Sequence, residues 1–365
     1  MRIDRCGRGS TAGGIHRGRN LGSCAHTLRR YSLTLPLVIA EAGVNHNGSL
    51  AHAKRMVRAA AAAGADYVKF QAFRADELAS REAATASYQK RNAGARDQLT
   101  LLRKLELSLD DFAELAKECR RARIGFLVTP FDLAMAAPLV AMGMNRIKIP
   151  SGELTNEPML RALGRFRLPI ILSTGMATQK EVAQALSVLR RARARDVTLL
   201  HCTSLYPAPA EAINLRAIAT LRSAFRVPVG YSDHSLGDHV AVAAVALGAS
   251  VIEKHFTLDR GLPGPDHAAS LEPGALKAMI ARLRETATAL GDGIKRPARG
   301  EAAVARLVRR SWHAGRDLPA GAVIRRGDVV LKRPATGLPP DQTPLGRKLK
   351  RARRADAAIR AGDLR

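Results

Sequence analysis

The stretch Val227-Pro-Val-Gly-Tyr-Ser-Asp-His234, the alanine-rich run at 240–247, and Ser250-Val-Ile-Glu-Lys-His-Phe256 together decide the fold. Two short apolar runs flank a segment of helical character, and each run ends in a polar cluster. Strand, helix and strand in that order make a parallel β/α unit, because parallel strands need a long crossover between them.

The same alternation runs outward from this stretch, beginning at Leu37. Strands are predicted at 37–44, 67–71, 125–130, 146–150, 169–173, 197–203, 227–232 and 250–256, with Ala-, Leu- and Arg-rich helical segments between them. Eight such units close most naturally into a (β/α)8 TIM barrel of the α/β class. The runner-up, a doubly wound open sheet, would carry a glycine-rich phosphate loop after its first strand, and this sequence has none there. The second crossover is long, and an extra loop is expected over 74–100, where it could cover the strand ends.

Four segments follow. Residues 1–34 hold seven arginines and one acid, Asp4, without the apolar core of a secretory signal. They read as a disordered or non-native extension, with a transit peptide as the alternative. The barrel spans 35–292 and a polar linker spans 293–308. A small β-rich domain occupies 309–365, with β-like pieces at 311–314, 323–324 and 329–332.

With 365 residues and 46% hydrophobic composition, the chain is long enough for a barrel and a small second domain. No apolar run approaches the ~18 residues that cross a bilayer, so the expectation is a soluble protein without membrane attachment. The four cysteines, Cys6, Cys24, Cys119 and Cys202, show no CxxC spacing, which suits a reducing cytoplasm. A net charge of +27 raises the question of nucleic acid. The excess is arginine scattered over helix surfaces, and 4% aromatics is too few for a base-stacking platform. Nucleic acid is therefore the less favoured partner, with the basic tail 347–354 its best argument.

Catalytic groups of such barrels sit at the C-terminal ends of the strands. Polar residues gather there in nearly every unit, including Glu41, Lys69, Gln71, Thr129, Lys148, Ser151, Glu153, Ser173, Ser204, Tyr206, Ser232, His234 and His255. A lysine inside an apolar strand needs an anion, because burying an unpaired charge costs several kcal/mol. Lys69 and Lys148 are such lysines. The bland reading is a salt bridge to Glu41 or Glu153; the functional one is a small, highly charged substrate carrying phosphate and carboxylate. His234 and His255 end adjacent strands, which sets both imidazoles over one side of the barrel mouth. Two histidines completed by water and substrate oxygens suit an open, Lewis-acid site for Mn²⁺ or Mg²⁺. A structural zinc would want four protein ligands.

These motifs resemble the sialic acid synthases, which condense phosphoenolpyruvate with an N-acetylated sugar. The matching segments include Ile39-Ala-Glu-Ala-Gly-Val-Asn-His-Asn-Gly48, Lys148-Ile-Pro-Ser-Gly-Glu153, His201-Cys-Thr-Ser-Leu-Tyr-Pro207, Gly230-Tyr-Ser-Asp-His234, Glu253-Lys-His-Phe256 and Gly264-Pro-Asp-His267. Lys332-Arg-Pro-Ala-Thr-Gly337 and its surroundings resemble the family's antifreeze-like SAF domain.

The resemblance implies a C–C bond-forming transferase that makes a nonulosonic acid and phosphate. The acceptor would be N-acetylmannosamine or a 6-deoxy diacetamido analogue. Lys69, Thr129, Lys148, Ser151, Ser173, Ser204 and Ser232 would hold phosphoenolpyruvate. His234 and His255 would bind the metal, while Glu41, Gln71, Tyr206 and Asp266 would position sugar and water. Glu153 would be the acid/base group. A domain-swapped homodimer would bring Arg333 of the partner subunit to the N-acetyl group. Tyr88-Gln-Lys-Arg-Asn92 and Leu105-Glu-Leu-Ser108 also resemble N-acetylneuraminate and legionaminate synthases. Ala335, where the family has glycine, requires a backbone that avoids positive φ. The rivals are a Schiff-base pyruvate aldolase on the same fold and a non-catalytic sugar-binding relative.

Overall fold

The computed structural model describes residues 35–80 and 97–365. The expectations for residues 1–34, for Cys6 and Cys24, and for the motif at 88–92 lie outside the described residues. The chain divides into two compact units, Met1–Asp292 and Gly293–Arg365.

The first unit contains eight strands: β1 (Leu37–Gly43), β2 (Tyr67–Ala72), β3 (Gly125–Pro130), β4 (Ile147–Ile149), β5 (Pro169–Ser173), β6 (Arg195–Cys202), β7 (Val229–Asp233) and β8 (Val251–His255). They run in the order β3-β2-β1-β8-β7-β6-β5-β4. The neighbouring pairs are parallel, and β3 lies alongside β4 to close the barrel. Both faces of these strands are buried, one against helices and one inside the barrel. β1, with six of its seven residues buried, reads as a near-continuous apolar run for that reason.

Local signals place the helices. Helix Leu50–Ala63 starts at Ser49, whose hydroxyl accepts the His52 N–H, and stops at Gly64 with φ 88°. Its buried residues Ala53, Met56, Val57, Ala60 and Ala63 form one stripe at helical spacing. Helix Leu109–Ala122 opens with a Ser108/Asp111 capping box, a device worth about 1 kcal/mol. In the long second crossover a short helix, Ala75–Leu78, comes first, and helix Gln98–Leu105 begins where Asp97 caps the Thr100 N–H. The loop expected to run to residue 100 thus ends earlier, at that cap. The exposed arginines Arg120, Arg121, Arg190, Arg191 and Arg193 face solvent at helix ends. No described helix is long and apolar enough to cross a membrane.

Packing across β7 is tight enough to test. A Cβ on Gly230 would lie 2.4 Å from the Val251 carbonyl oxygen and 2.7 Å from Leu200 Cδ2. Backbone cannot move aside as a side chain can. Gly230→Ala is therefore expected to destabilise the barrel by about 1–3 kcal/mol, read as a lower urea midpoint at constant m. An unchanged midpoint would contradict this packing.

In the second unit β9 (Ser311–Ala314) pairs antiparallel with β10 (Val329–Lys332). Ala314, Leu318, Ile324, Val329, Leu338, Leu349, Ile359 and Leu364 form its core. The piece expected at 323–324 is only an isolated bridge from Val323 to Lys348. Ala335 is absent from the positive-φ residues, so the alanine there is unstrained.

Candidate active site

One cavity of about 450 Å³ opens at the C-terminal ends of the barrel strands. Among its lining residues are Glu41, Lys69, Gln71, Thr129, Lys148, Ser151, Ser173, Ser204, Tyr206, Ser232, His234, His255 and Asp266. Thirteen of the expected residues, from the ends of all eight strands, thus meet in one place. Glu153 is not brought there. It sits half-buried on the 3-10 turn Ser151–Glu153, where the Asn156 side-chain amide donates to its carboxylate at 2.7 Å. Arg333 belongs to the second unit and is exposed just after β10.

Strand register stacks the charges. Glu41 pairs with Lys69 across β1 and β2, and Ser232 with Glu253 across β7 and β8. Lys69 Nζ lies 2.9 Å from Glu41 and 3.5 Å from Glu253, and donates to Thr129 Oγ1 at 3.2 Å. The bland reading of Lys69 therefore holds in part, with Glu41 as its partner. Lys148 differs. Among the described residues its nearest carboxylate is Glu253, at 3.7 Å, and its ammonium donates no hydrogen bond. Only 3% of Lys148 is exposed. Burial drives its pKa down against the pull of Glu253, whereas the carboxylates beside Lys69 outweigh burial and raise it.

Glu253 is the residue that the sequence reading overlooked as a site group. It accepts the Ser232 hydroxyl at 2.9 Å and stands between both lysines. Burial pushes its pKa up, but Lys148 and Lys69 overcome this and hold it at about 2. Strand alternation could have found it, since Glu253 and His255 share a face of β8.

The two histidines are held in defined states. His234 Nδ1 lies 2.6 Å from the Thr203 carbonyl oxygen. A carbonyl only accepts, so Nδ1 carries the proton and Nε2 keeps the lone pair. The Nδ1 of His255 is buried without a hydrogen-bond partner, 3.8 Å from Asp266 Oδ2. Ring centroids are 5.6 Å apart, and the Tyr206 ring lies 4.2 Å from that of His234. Burial lowers the pKa of His234 to about 4 and of His255 to about 3, so both imidazoles are neutral at neutral pH. Among the described residues no cluster of three or more His, Cys, Asp or Glu gathers around one point. A metal here would have two protein nitrogens and would take its other ligands from water and substrate.

Glu41 accepts from the Gln71 side-chain amide at 3.0 Å. Gly43, at φ 53°, leaves room beside it: a Cβ there would sit 3.3 Å from both groups and 3.7 Å from Asp266. Burial, then the nearby Glu41 charge, raises the Asp266 pKa to about 7. Other histidines serve the core. His267 Nδ1 bonds the Thr257 hydroxyl at 2.7 Å, and His201 Nε2 the Ile213 carbonyl at 2.7 Å.

Comparison with known proteins adds identity to this geometry. The NeuB family model matches residues 56–295, and the SAF domain model matches 309–365. The chain is 48% identical to the N,N'-diacetyllegionaminic acid synthase of Campylobacter jejuni, over 83% of this chain and 91% of that one. It is 46% identical to the synthase of the same name from Legionella pneumophila, over 84% and 87%. The crystal structure of the N-acetylneuraminic acid synthetase of Leptospira borgpetersenii superposes with a TM-score of 0.68 at 35% identity, covering 75% of this chain and 91% of that one. The family model spans β2 to β8 of the barrel, and the chain belongs to the NeuB family.

Proposed function

We propose that this cavity joins phosphoenolpyruvate to the open-chain aldehyde of an N-acetylated amino sugar, giving a nonulosonic acid and inorganic phosphate. The chain is a carbon–carbon bond-forming transferase. The observation that carries the reading is Lys148, a buried cation without a hydrogen-bond partner of its own, aimed at a cavity ringed by hydroxyls. Such a group is completed by a bound anion. The relatives named for nonulosonic acid synthesis supply the chemical context.

Lys69 and Lys148, with the hydroxyls of Thr129, Ser151, Ser173, Ser204 and Ser232, hold the phosphate and carboxylate. Glu253 keeps both ammonium groups charged and oriented. The enol-phosphate C3 attacks the aldehyde carbon, and positive charge develops at C2, where Glu41 and Glu253 stabilise it. Water adds at C2, and the tetrahedral intermediate releases phosphate by C–O cleavage. Glu41 and Asp266, expected to position sugar and water, line the cavity; they orient that water and take its proton. Glu153, on the turn whose Ser151 and Gly152 line the cavity, is the alternative acid/base group.

His234 and His255 fit a hard divalent ion, Mn²⁺ or Mg²⁺: two neutral imidazoles, one with an unpartnered buried nitrogen. Lewis acidity at the aldehyde oxygen is the chemistry that such an ion supplies. Following the family resemblance, the enzyme works in the cytoplasm as a homodimer, with Arg333 of the partner subunit at the N-acetyl group. Free, buried Cys119 and Cys202 suit that compartment.

A phosphate-release assay tests the reading. With phosphoenolpyruvate and Mn²⁺, turnover is expected with N-acetylmannosamine or a 6-deoxy diacetamido analogue, none with arabinose 5-phosphate, and none after chelation. Inactivity toward every acetamido sugar would refute it. Borohydride trapping of a pyruvate adduct would instead favour the Schiff-base aldolase.

A further inference from the structure

The N-terminal ends of the barrel strands, opposite the cavity, carry a different chemistry. Helix-to-strand turns lie there at 64–66, 123–124, 142–146, 165–168, 192–194, 226–228 and 247–250. They hold the arginines Arg123, Arg146, Arg165, Arg167, Arg193 and Arg226, against a single acid, Asp66. Two of these turns are neighbours, because β5 pairs with β6 and sets Pro169 beside Arg195. Gly164, which ends helix Glu157–Gly164, lets them close up: a Cβ there would lie 2.7 Å from Ala192 Cβ. Between them is a hollow of about 300 Å³, lined by Arg161, Arg165, Arg167, Arg191, Arg193 and Ala192.

Five guanidinium groups share this hollow, and no carboxylate lines it. Glu157 stands beside it, bonded to Arg161 and 3.8 Å from Arg191. Among the described residues, Arg165, Arg167 and Arg193 have no carboxylate within ion-pair distance. The helix dipole favours a cation at each helix C-terminus. That accounts for one arginine per turn, but not for five that crowd together and repel one another. Arg167 and Arg193 moreover occupy left-handed backbone, at φ 55° and 63°, where glycine is the usual residue. Arg123 and Arg226 share that conformation on other turns, outside the lining of the hollow.

The lining also restricts what can bind. It offers no aromatic ring for a base to stack on, and no carboxylate or amide to read a sugar. Planar guanidinium forks match phosphate oxygens in pairs, and several converging forks call for several phosphate groups. We propose that this hollow binds a chain of two or three phosphates, free or carried by a nucleotide. The site shares no residue with the strand-end cavity and does not depend on the condensation proposed above.

Titration calorimetry of the full chain with tripolyphosphate, in metal-free buffer at about 0.1 M salt, tests the proposal. Saturable binding is expected, and Lys148→Met should retain it, since that lysine belongs to the other end of the barrel. Arg165→Ala and Arg193→Ala should each weaken binding about tenfold, and together about 100-fold, the scale of one charged hydrogen bond per residue. Glu157→Gln frees Arg161 and Arg191 and should tighten binding about threefold, the scale of an exposed ion pair. The pair Arg123→Ala and Arg226→Ala should change it by less than about twofold, because salt screens charges outside the hollow. Adenosine triphosphate distinguishes the sources: equal affinity means that the phosphates alone are read, and tighter binding means that a nucleotide is preferred. Absence of tripolyphosphate binding overturns the proposal. So does equal weakening by the Arg123 and Arg226 pair, which would mean diffuse surface charge, or loss of binding in Lys148→Met, which would seat the anion in the cavity. Arg165 has an ordinary helical φ of −68°, so Arg165→Ala keeps the fold and decides alone if Arg193→Ala does not.

Discussion

A Lys148→Met variant is expected to lose about 10²- to 10³-fold in kcat/KM for phosphoenolpyruvate, the scale for removing one charged stabilising group, while melting within a few degrees of wild type. The two halves of that expectation have one cause. Lys148 is buried, and its nearest carboxylate is 3.7 Å away. Much of the cost of burying its charge is unrepaid until an anion binds. Methionine keeps the volume and removes that cost. Glu253 is not orphaned by the change, because Lys69 remains 3.5 Å away and the Ser232 hydroxyl 2.9 Å away. Lys69→Met should behave differently. It removes the 2.9 Å partner of Glu41 and leaves that carboxylate buried and unpaired, so stability falls along with activity, by about 3–5 kcal/mol. Steady-state kinetics and thermal melts on the two variants separate the roles. Lys148→Met with activity within tenfold of wild type would remove the anion seat from the proposal.

Three strand lysines show what a sequence can and cannot give. Each of Lys69, Lys148 and Lys254 interrupts an apolar run, and the rule that a buried lysine needs an anion applies equally to all. Lys254 meets its anion inside the wall: Asp233 lies 2.8 Å away, with both side chains wholly buried. It points away from Glu253 and His255, as alternation along β8 requires. Lys69 is shared between a carboxylate and the cavity, and Lys148 has its nearest carboxylate among the described residues, Glu253, at 3.7 Å. The need for a partner was legible; which partner satisfies it depends on register between strands, and no local pattern supplies that. Strand positions themselves were legible to within a few residues, because eight two-sided buried strands leave eight apolar runs. Side chains on turns were legible unevenly: Ser151, Ser204, Tyr206 and Asp266 line the cavity, and Glu153 is not among its lining residues. Glu153 follows Ser151 by two residues, yet the 3-10 turn carries it out of the cavity lining, and alternation says nothing about a turn.

Replacing either histidine by alanine is expected to cost about 10³-fold in turnover at saturating Mn²⁺, since polarising a carbonyl is worth several kcal/mol and each 1.4 kcal/mol is tenfold. The double variant should be little worse than either single one, because two ligands of one ion act as a unit. The physical basis is the state in which each ring is held. The Thr203 carbonyl fixes the tautomer of His234 and aims the lone pair of Nε2. His255 keeps an unpartnered nitrogen in a buried position, where it costs free energy unless something binds it. Alanine removes that cost at His255, so that variant should unfold no more easily than wild type, whereas His234→Ala orphans the Thr203 carbonyl oxygen and should lose about 1–2 kcal/mol. Titration calorimetry with Mn²⁺ and no substrates provides a readout independent of turnover: heat of binding in wild type, and at least tenfold weaker binding in each variant. Wild-type affinity for Mn²⁺ in both single variants, in proteins with native circular dichroism, would place the ion elsewhere. Weak binding with turnover intact would instead mean that the aldehyde is activated without it, leaving Tyr206, whose ring lies 5.8 Å from that of His255, as the nearest candidate donor.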